Sequence, residues 1–172
     1  KQIGSFEPKE LIILDQAETP LYEIEMYFKK NIPSCTCHFE LVDVTNLEEF
    51  ETVFNKYRPE IVFHAAAYKH VPVLETNFMQ AVKVNIFGTN NILETALNHG
   101  TQRFVFISTD KAVNPTNVMG ASKRIAEKYV QSYALDFNSN AKLTTKFITT
   151  RFGNVLGSSG SVVPRFKEQI AK

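Results

Sequence analysis

Apolar residues along the 172-residue chain fall into two alternating patterns. Short runs rich in Ile, Val and Phe are apolar at successive positions, which is typical of strands buried on both faces of a parallel sheet. Longer segments between them repeat apolar residues every three or four positions, the spacing of helices that pack one face on a sheet. The runs predict strands over residues 10–15, 38–44, 60–66, 103–108 and 146–152, and the repeats predict helices over 19–31, 46–57, 77–100 and 119–138.

This order of elements predicts a single domain of the α/β class, with a doubly wound, Rossmann-like parallel sheet and helices on both faces. Ligands of such sheets bind beyond the carboxyl ends of the strands. The residues that follow each strand are therefore the candidates for chemistry. They are Asp15, Asp43 and residues 64–67, 108–111 and 152–154.

The composition excludes partners more than it suggests a function. A net charge of +1, without blocks of like charge, gives no reason to expect nucleic acid or an anionic membrane as a partner. No apolar run reaches transmembrane length, and the first residues lack the apolar region of a signal peptide. We therefore expect a cytoplasmic location and no membrane contact by these residues.

Cys35 and Cys37, followed by His38, raise the question of a metal site. Zinc requires a second pair of ligands at a suitable spacing, and the sequence does not offer one. We expect two reduced structural thiols ahead of a strand, and no metal.

A dinucleotide-binding sheet normally opens with a strand, a Gly-rich turn and a helix, and the acid that binds ribose hydroxyls ends the second strand. Here the first strand already ends in such an acid, Asp15, without a Gly-rich turn ahead of it. We interpret residues 1–172 as a fragment, a partial NAD(P)-binding domain without its first strand and Gly-rich turn, whose open sheet edge favours self-association. Residues 153–172 are interpreted as the start of a further segment that stops inside a helix.

Small and acidic residues at the strand ends are candidate cofactor ligands. Asp15 is placed to accept hydrogen bonds from ribose hydroxyls and Asp43 to approach an adenine amino group, although each acid taken alone better suits a turn that starts a helix. Ala65, Ala66 and Ala67 allow a flat cofactor to approach the backbone, or else pack a tight junction between a strand and a helix.

Other polar residues near the same edge have different expected roles. His64 is expected to be packed and hydrogen-bonded rather than catalytic. Asn85 lies in a long apolar helix, where it needs a hydrogen-bond partner; a structural role is the default and a place beside the cofactor the alternative. Lys69 and His70 project where an anionic substrate would bind.

The stretch STDKAVNPTNVMGASK, residues 108–123, has the most specific pattern. Met119 and Lys123 are spaced i, i+4 on a predicted helix and share one face. A thioether neither gives nor takes a proton, so acid–base chemistry falls to Asp110 and Lys111, directly after Thr109. Opposite charges held together in a closed site can be tuned for proton transfer near neutral pH; the alternative for this pair is a solvated loop.

This stretch, with LIILDQAETPLYEIE, HAAAYKHVPVLE, NIFGTNNIL and RFGNVLGSSGSVVPRF, resembles the nucleotide-sugar 4,6-dehydratases of bacterial polysaccharide and glycan biosynthesis. These enzymes are extended short-chain dehydrogenase relatives. The resemblance is to the subgroup in which Met replaces the usual Tyr four residues before the Lys. The motifs occur in family order and cover essentially the whole chain.

The resemblance implies dehydration of a UDP-N-acetylhexosamine, with UDP-N-acetylglucosamine favoured, to a 4-keto-6-deoxy sugar. A tightly held NAD or NADP, with NAD favoured, removes hydride from C4; a proton leaves C5, water leaves C6, and hydride returns to C6. A homo-oligomer is also implied, as is a parent protein anchored at the inner membrane if membrane spans precede this segment.

The resemblance also assigns roles on this chain. Thr109 orients the C4 hydroxyl, Lys111 is the base for C4 oxidation or C5 deprotonation, and Asp110 is the acid for C6 water, with the division between the last two open. Lys123 holds the nicotinamide ribose, and Met119 occupies the usual Tyr position. The implied UDP contacts are Asn154, Ser161 and Arg165.

Two other functions remain open at this point. A nucleotide-sugar epimerase shares the cofactor and the first oxidation but needs no acid at C6. A non-catalytic dinucleotide-sensing or assembly domain would explain Met119 as a loss of activity. The isolated 172 residues are expected to bind NAD(P) poorly and to be inactive.

Overall fold

A computed structural model of the chain describes residues 1–139, 145–155, 166 and 169–171. The strands are β1 (Leu11–Asp15), β2 (Cys37–Leu41), β3 (Ile61–His64), β4 (Arg103–Thr109) and β5 (Lys146–Phe152). The α-helices are α1 (Glu18–Asn31), α2 (Leu47–Tyr57), α3 (Val71–Thr76), α4 (Phe78–Gln80), α5 (Thr89–Asn98) and α6 (Val118–Ser139). A π-helical segment, Ala81–Gly88, joins α4 to α5, and single 3₁₀ turns occupy Ile3–Phe6 and Asp110–Ala112. The predicted strands are all present at the predicted places.

All strand pairs are parallel. β1 pairs with β2 from Leu11 opposite Cys37 onward. β4 lies between β3 and β5, and Thr109 at the end of β4 is level with Phe152 at the end of β5. The carboxyl ends of β3, β4 and β5 therefore meet at one edge, where the candidate residues follow.

The described strands form two sheets, β1–β2 and β3–β4–β5, rather than the single sheet that the sequence predicts. A doubly wound sheet commonly has the strand order 3-2-1-4-5-6, with the strand before the Gly-rich turn at its centre. The two observed sheets match the two arms on either side of that central strand. The Rossmann-like α/β class is confirmed, and β1 and β3 each have an edge without a strand partner among the described residues.

One hydrophobic core joins both sheets. Phe104 and Phe106 of β4 are fully buried at its centre, and Ile12 and Leu14 of β1 pack against it from the other sheet. The remaining buried members come from the segment after β2, from α2, from α5 and from α6; they are Val42, Phe50, Val53, Phe54, Ile92, Leu93, Ala96, Ala126 and Val130.

Two helix ends are formed by residues whose own chemistry favours them. Asn46 caps α2, because its side chain accepts the backbone N–H of Glu49. Gly100, two residues after the end of α5, has a φ of +72°, a left-handed conformation that favours glycine. Local chemistry therefore sets these two boundaries.

The helix predicted over residues 77–100 is not a uniform α-helix. The segment Ala81–Gly88 is π-helical, and it carries the fully buried Asn85. A π segment inside a helix frequently marks a functional site, because it turns a side chain out of the α-helical repeat. The sequence pattern also does not predict the short helix α3, since six residues are too few to establish a helical repeat.

Cys35 and Cys37 are free thiols whose sulfur atoms lie 3.5 Å apart at the start of β2. Burial, followed by the bond to Cys35, raises the pKa of Cys37 to about 11, so this thiol is protonated at neutral pH. Within the part of the chain that the structure describes, no three His, Cys, Asp or Glu side chains are grouped to hold a metal ion.

Replacing Phe104 by Ala should destabilise the protein by about 3–5 kcal/mol, because a large ring is removed from the centre of the core. Chemical denaturation of the intact protein measures the change. Phe6→Ala is the matched control, since that ring is 84% exposed and should contribute little. Equal effects of the two substitutions would contradict the assignment of the core.

Candidate active site

The carboxyl ends of β4 and β5 bring together a hydroxyl, a carboxylate, an ammonium and an amide. Thr109 Oγ1 donates to Asp110 Oδ1 at 2.9 Å, and Lys111 Nζ donates to the same oxygen at 3.2 Å. Lys111 Nζ also donates to Asn154 Oδ1 at 3.5 Å. The side chains of Asp110 and Lys111 are 56% and 38% exposed, so this connected cluster is open to a ligand.

These hydrogen bonds determine the charge state of Asp110. The bond from Thr109, followed by the bond from Lys111, lowers the pKa of the Asp110 carboxyl. Both donors bind the ionised form, so Asp110 is a carboxylate at neutral pH. It must take up a proton before it can act as an acid.

The N-terminus of α6 packs directly on this cluster. A Cβ added at Gly120 would overlap the carbonyl oxygen of Lys111. Asn117 Oδ1 accepts the backbone N–H of Gly120 at 2.8 Å, and Glu75 Oε1 accepts that of Val118 at 2.8 Å. Side chains thus satisfy the free N–H groups at the start of the helix and fix it against the loop that carries Lys111.

Met119 and Lys123, one helical turn apart on α6, have different surroundings. Met119 is buried in a small apolar cluster with Leu74. Lys123 is 5% exposed, and its Nζ lies 4.1 Å from the centre of the Phe106 ring. Burial lowers the pKa of Lys123 to about 8, and the carboxylate of Glu127 opposes this shift. Lys123 is therefore mainly protonated at neutral pH.

An ionic cluster that sequence reasoning missed lies one turn further along α6. Glu127, which is 0% exposed, accepts two hydrogen bonds of 2.8 Å from Arg151 of β5 and one of 3.0 Å from Arg124. Burial raises the pKa of Glu127, but hydrogen bonds, with the one from Arg151 first among them, outweigh it and hold the pKa at about 2. The available signal was a Glu on the apolar face of a helix, four residues after Lys123.

Asn85 connects the loop after β3 to α6. Its Oδ1 accepts the backbone N–H of Tyr68 at 2.8 Å, and its Nδ2 donates to the Tyr68 carbonyl and to Ser122 Oγ, each at 3.0 Å. These bonds use three of the four hydrogen-bonding positions of the amide. Asn85 thus holds Tyr68 and Ser122 together, while the predicted cofactor contact stays a prediction.

Asp15 and Asp43 both form turns at the ends of their strand segments. Each carboxylate accepts the backbone N–H two residues later, at 2.9 Å for Asp15 and 2.8 Å for Asp43. Gln16 donates to the Tyr68 hydroxyl at 3.3 Å, so the end of β1 lies beside the loop after β3. The turn role weighed for both acids is confirmed, and their cofactor contacts stay predictions.

The loop after β3 presents small residues and then a shallow cavity. Ala65 and Ala66 are exposed and Ala67 is half-buried. Lys69 and His70 line a cavity of about 260 Å³ together with Tyr68, Val73, Leu74, Asn77 and Gln80. Of the predicted UDP contacts, Asn154 is exposed beside Lys111, whereas Ser161 and Arg165 lie outside the described residues.

His64 is a packed side chain, as expected. It is 3% exposed, its Nε2 lies 2.8 Å from Thr89 Oγ1, and its ring stacks against Phe106 at a centroid distance of 5.4 Å. Burial, followed by the nearby charge of Lys123, lowers the pKa of His64 to about 3. The imidazole is therefore neutral in the folded protein.

The whole chain matches a family model described as polysaccharide biosynthesis protein, over residues 1–172. The chain belongs to this family.

Curated proteins similar to this chain include a nucleotide-sugar dehydratase and a nucleotide-sugar epimerase. The chain is 48% identical over its full length to a probable polysaccharide biosynthesis protein EpsC of Bacillus subtilis, of which it spans 28%. It is 37% identical, over 99% of its length, to an inverting UDP-N-acetylglucosamine 4,6-dehydratase of Campylobacter jejuni, of which it spans 48%. It is 36% identical, over 94% of its length, to a UDP-glucose 4-epimerase of Rickettsia massiliae, of which it spans 45%. The chain thus spans less than half of each of these relatives, and the resemblance to nucleotide-sugar dehydratases is confirmed at the level of the family.

Solved structures agree with the fold. Pen from Bacillus thuringiensis superposes with a TM-score of 0.88 at 32% identity, over 99% of this chain and 52% of that one. The enzyme WbmH of Bordetella bronchiseptica, solved in complex with NAD⁺, superposes with a TM-score of 0.66 at 17% identity, over 95% of this chain and 62% of that one. At that identity the second likeness supports the fold alone. A search of the described helices for one long and apolar enough to cross a membrane finds none.

Gly120→Ala should cost about 1–3 kcal/mol of stability, because the added methyl group must displace the carbonyl of Lys111. Hydrogen exchange of the intact protein should show faster exchange at residues 109–113. Ser132→Ala, a small change at an exposed position of α6, serves as the control. Unchanged exchange at residues 109–113 would show that the loop tolerates the methyl group.

His64 should make the protein sensitive to acid between pH 6.5 and 4.5. The unfolded imidazole binds a proton below about pH 6.5, whereas the folded one does not until about pH 3, so stability falls as the pH is lowered. The expected loss over this window is about 2 kcal/mol, and His64→Gln should remove it. Unfolding measured at each pH tests the effect, with the exposed His70→Gln as control. An equal acid loss in the His64→Gln protein would contradict the assignment.

Proposed function

We propose that the intact protein is a nucleotide-sugar 4,6-dehydratase, which converts a UDP-N-acetylhexosamine, in the first place UDP-N-acetylglucosamine, to a 4-keto-6-deoxy sugar. The observation that carries the proposal is the hydrogen-bonded cluster of Thr109, Asp110, Lys111 and Asn154. It offers two proton-transfer groups beside a hydroxyl, as an elimination requires. Family membership and the 37% identity to the C. jejuni dehydratase support the reaction class.

The residues at the sheet edge fit a nicotinamide dinucleotide. Exposed alanines after β3 leave the backbone accessible to a flat ligand, and Lys123 offers a buried ammonium whose charge acts on His64 at the end of β3. In the proposal Asp15 binds the adenosine ribose, Asp43 lies near adenine and Lys123 binds the nicotinamide ribose. NAD is favoured over NADP, because a carboxylate at Asp15 suits free ribose hydroxyls. A nicotinamide cofactor held there would supply the hydride acceptor for C4 and the hydride donor for C6.

Asp110 and Lys111 together can supply the base and the acid. Lys111 Nζ lies 3.2 Å from Asp110 Oδ1, so a proton can pass from the ammonium to the carboxylate along an existing hydrogen bond. A substrate that excludes water favours the neutral pair over the ion pair. The transfer leaves Lys111 as an amine that accepts the C4 hydroxyl or C5 proton, and Asp110 as an acid that protonates the departing C6 hydroxyl. Two protons leave the sugar, one from the C4 hydroxyl and one from C5. Two are used, one in the departing water and one at C5 when hydride reaches C6, so the net change is the loss of one water. Thr109 orients the C4 hydroxyl.

Because Met119 cannot transfer a proton, the proposal assigns proton transfer to Asp110 and Lys111. Its thioether has no proton to give, and its side chain is buried against Leu74 rather than held in the polar cluster. In the proposal Met119 supports the wall of the site through packing.

The cofactor site is completed, in this proposal, by a strand and Gly-rich turn that lie between β1 and β3 in the intact protein. The edges of β1 and β3 that have no strand partner among the described residues support that placement. Residues from 153 onward begin the nucleotide-sugar segment. The homo-oligomer, the cytoplasmic location and an anchored parent protein stay predictions.

An epimerase is the second candidate, favoured by the 36% identity to the Rickettsia UDP-glucose 4-epimerase. It would use the same cofactor and the same oxidation at C4. It would not require an acid at C6, so the polar pair at Asp110 and Lys111 favours the dehydratase.

Incubating the intact protein with UDP-N-acetylglucosamine should give a product lighter by one water, with a keto group at C4 and a methyl group at C6. Asp110→Asn and Lys111→Met should each reduce turnover by roughly 10²–10⁴-fold, the usual contribution of a general acid or base. Mass spectrometry and NMR of the product, with turnover rates, measure both effects.

Lys128→Met is the matched control, because this lysine is exposed on α6, away from the polar cluster. A product that keeps its C6 hydroxyl and is inverted at a ring carbon would refute the dehydratase assignment and support the epimerase. Turnover that survives both substitutions would refute the acid–base assignment.

A further inference from the structure

The side chain of Glu127 is the most deeply buried charge next to the site, and the reaction proposed above does not use it. We propose that Glu127 is a positioning residue of the active site: its carboxylate ties α6 to β5 beside the Asp110–Lys111 pair and provides the compensating negative charge for the Lys123 ammonium. This inference rests on the proposed function and assigns that site a further residue.

The first step of the argument is the geometry of the tie. Arg151 lies opposite Ser108 in the parallel register of β4 and β5, one residue before Thr109. Its guanidinium forms a bidentate salt bridge with the Glu127 carboxylate. Two parallel hydrogen bonds fix the orientation of the pair as well as its distance. Glu127 thereby fixes α6 relative to the strand ends that carry Thr109 and Asn154.

The second step is the charge of Lys123. Lys123 and Glu127 are spaced i, i+4 on α6 and so lie on the same side of the helix. Burial acts against the Lys123 charge and Glu127 acts for it, while the Phe106 ring adds a cation–π contact. His64, on β3, is neutral and adds no competing charge. Other charged side chains on the elements packed against α6 are Glu75, Lys83, Glu94, Arg103, Asp110, Lys111, Lys146 and Arg151.

The third step separates this role from simple stabilisation. Buried ion pairs are often no more stabilising than well-packed apolar residues of the same volume. Stability therefore does not require a carboxylate at position 127. Keeping Lys123 charged does require a carboxylate at position 127, because the Phe106 ring and the neutral His64 imidazole near Lys123 carry no negative charge.

The test compares two variants that have opposite predicted effects in the intact protein. Glu127→Gln keeps the shape and removes the anion, so the pH at which Lys123 loses its proton should fall by about one unit. Arg151→Gln removes a cation that neutralises Glu127, so the same midpoint should rise. Competitive acetylation without NAD, quantified for the Lys123 peptide by mass spectrometry, measures the midpoint. Glu48→Gln, at an exposed position of α2, should leave it unchanged.

A second measurement reports on positioning. Glu127→Gln should weaken NAD binding at least about tenfold at pH 8, whereas Glu127→Asp, which keeps the charge, should restore the Lys123 midpoint and part of the affinity. Calorimetric titration with NAD gives the affinities, and the acetylation experiment gives the midpoint. Weaker binding without a shifted midpoint, or shifts of the same sign in Glu127→Gln and Arg151→Gln, would overturn the proposal and leave Glu127 as a structural tie.

The two proposals can fail separately. The acetylation midpoint requires neither NAD nor turnover, so it tests the charge relation even if the product analysis refutes the dehydratase. If Glu127→Gln does not fold, Arg151→Gln still tests the charge relation, which requires that the midpoint rise. An unchanged or lowered midpoint in that variant would refute it.

Discussion

Parallel pairing on both sides of β4 is the constraint on which the site depends. Because β3, β4 and β5 run in one direction, their last residues reach a common edge, and Thr109 comes level with Phe152. This register lets Lys111 contact Asn154 across 43 positions of sequence. The helix that follows β4 then lies across β4 and β5, and the contact between Gly120 and the Lys111 backbone fixes where it begins. A shift of one residue in this register would move every side chain of β5 to the opposite face.

The charges of the site are divided by depth. Asp110 and Lys111 are partly exposed and in direct contact, so water or a ligand can change which of them holds the proton. Lys123 and Glu127 are organised differently: both are buried, so each charge depends on its neighbours, and Glu127 is paired with Arg151, whose side chain is 38% exposed. In the proposed mechanism, this division assigns mobile protons to the surface pair and fixed charges to the interior. The same proposal accommodates Met119 at a position where a proton-transfer residue is usual, since proton transfer is assigned to the exposed pair.

Local signals carried most of the sequence prediction. The strands were predictable because their apolar runs are short and rich in β-branched and aromatic residues, and Asn46 and Gly100 mark helix ends by their own chemistry. The Thr109–Asp110–Lys111 cluster was predictable because its members are adjacent in the chain. The pair of Glu127 and Arg151 was not, because it joins residues 24 positions apart and depends on the register of β4 with β5. The division into two sheets likewise depends on which strands pair, and a periodicity in the sequence does not contain that information.

The π-helical segment Ala81–Gly88 has a consequence for how this protein can vary. A π turn accommodates more residues than an α turn, so the segment behaves as a helix that has absorbed an insertion. Deleting one residue within it would restore the α repeat and rotate Asn85 away from Tyr68 and Ser122, which it holds together. Changes of length are thus tolerable in the surface loops of this fold but not inside this helix, where the number of residues itself sets the direction of a buried amide.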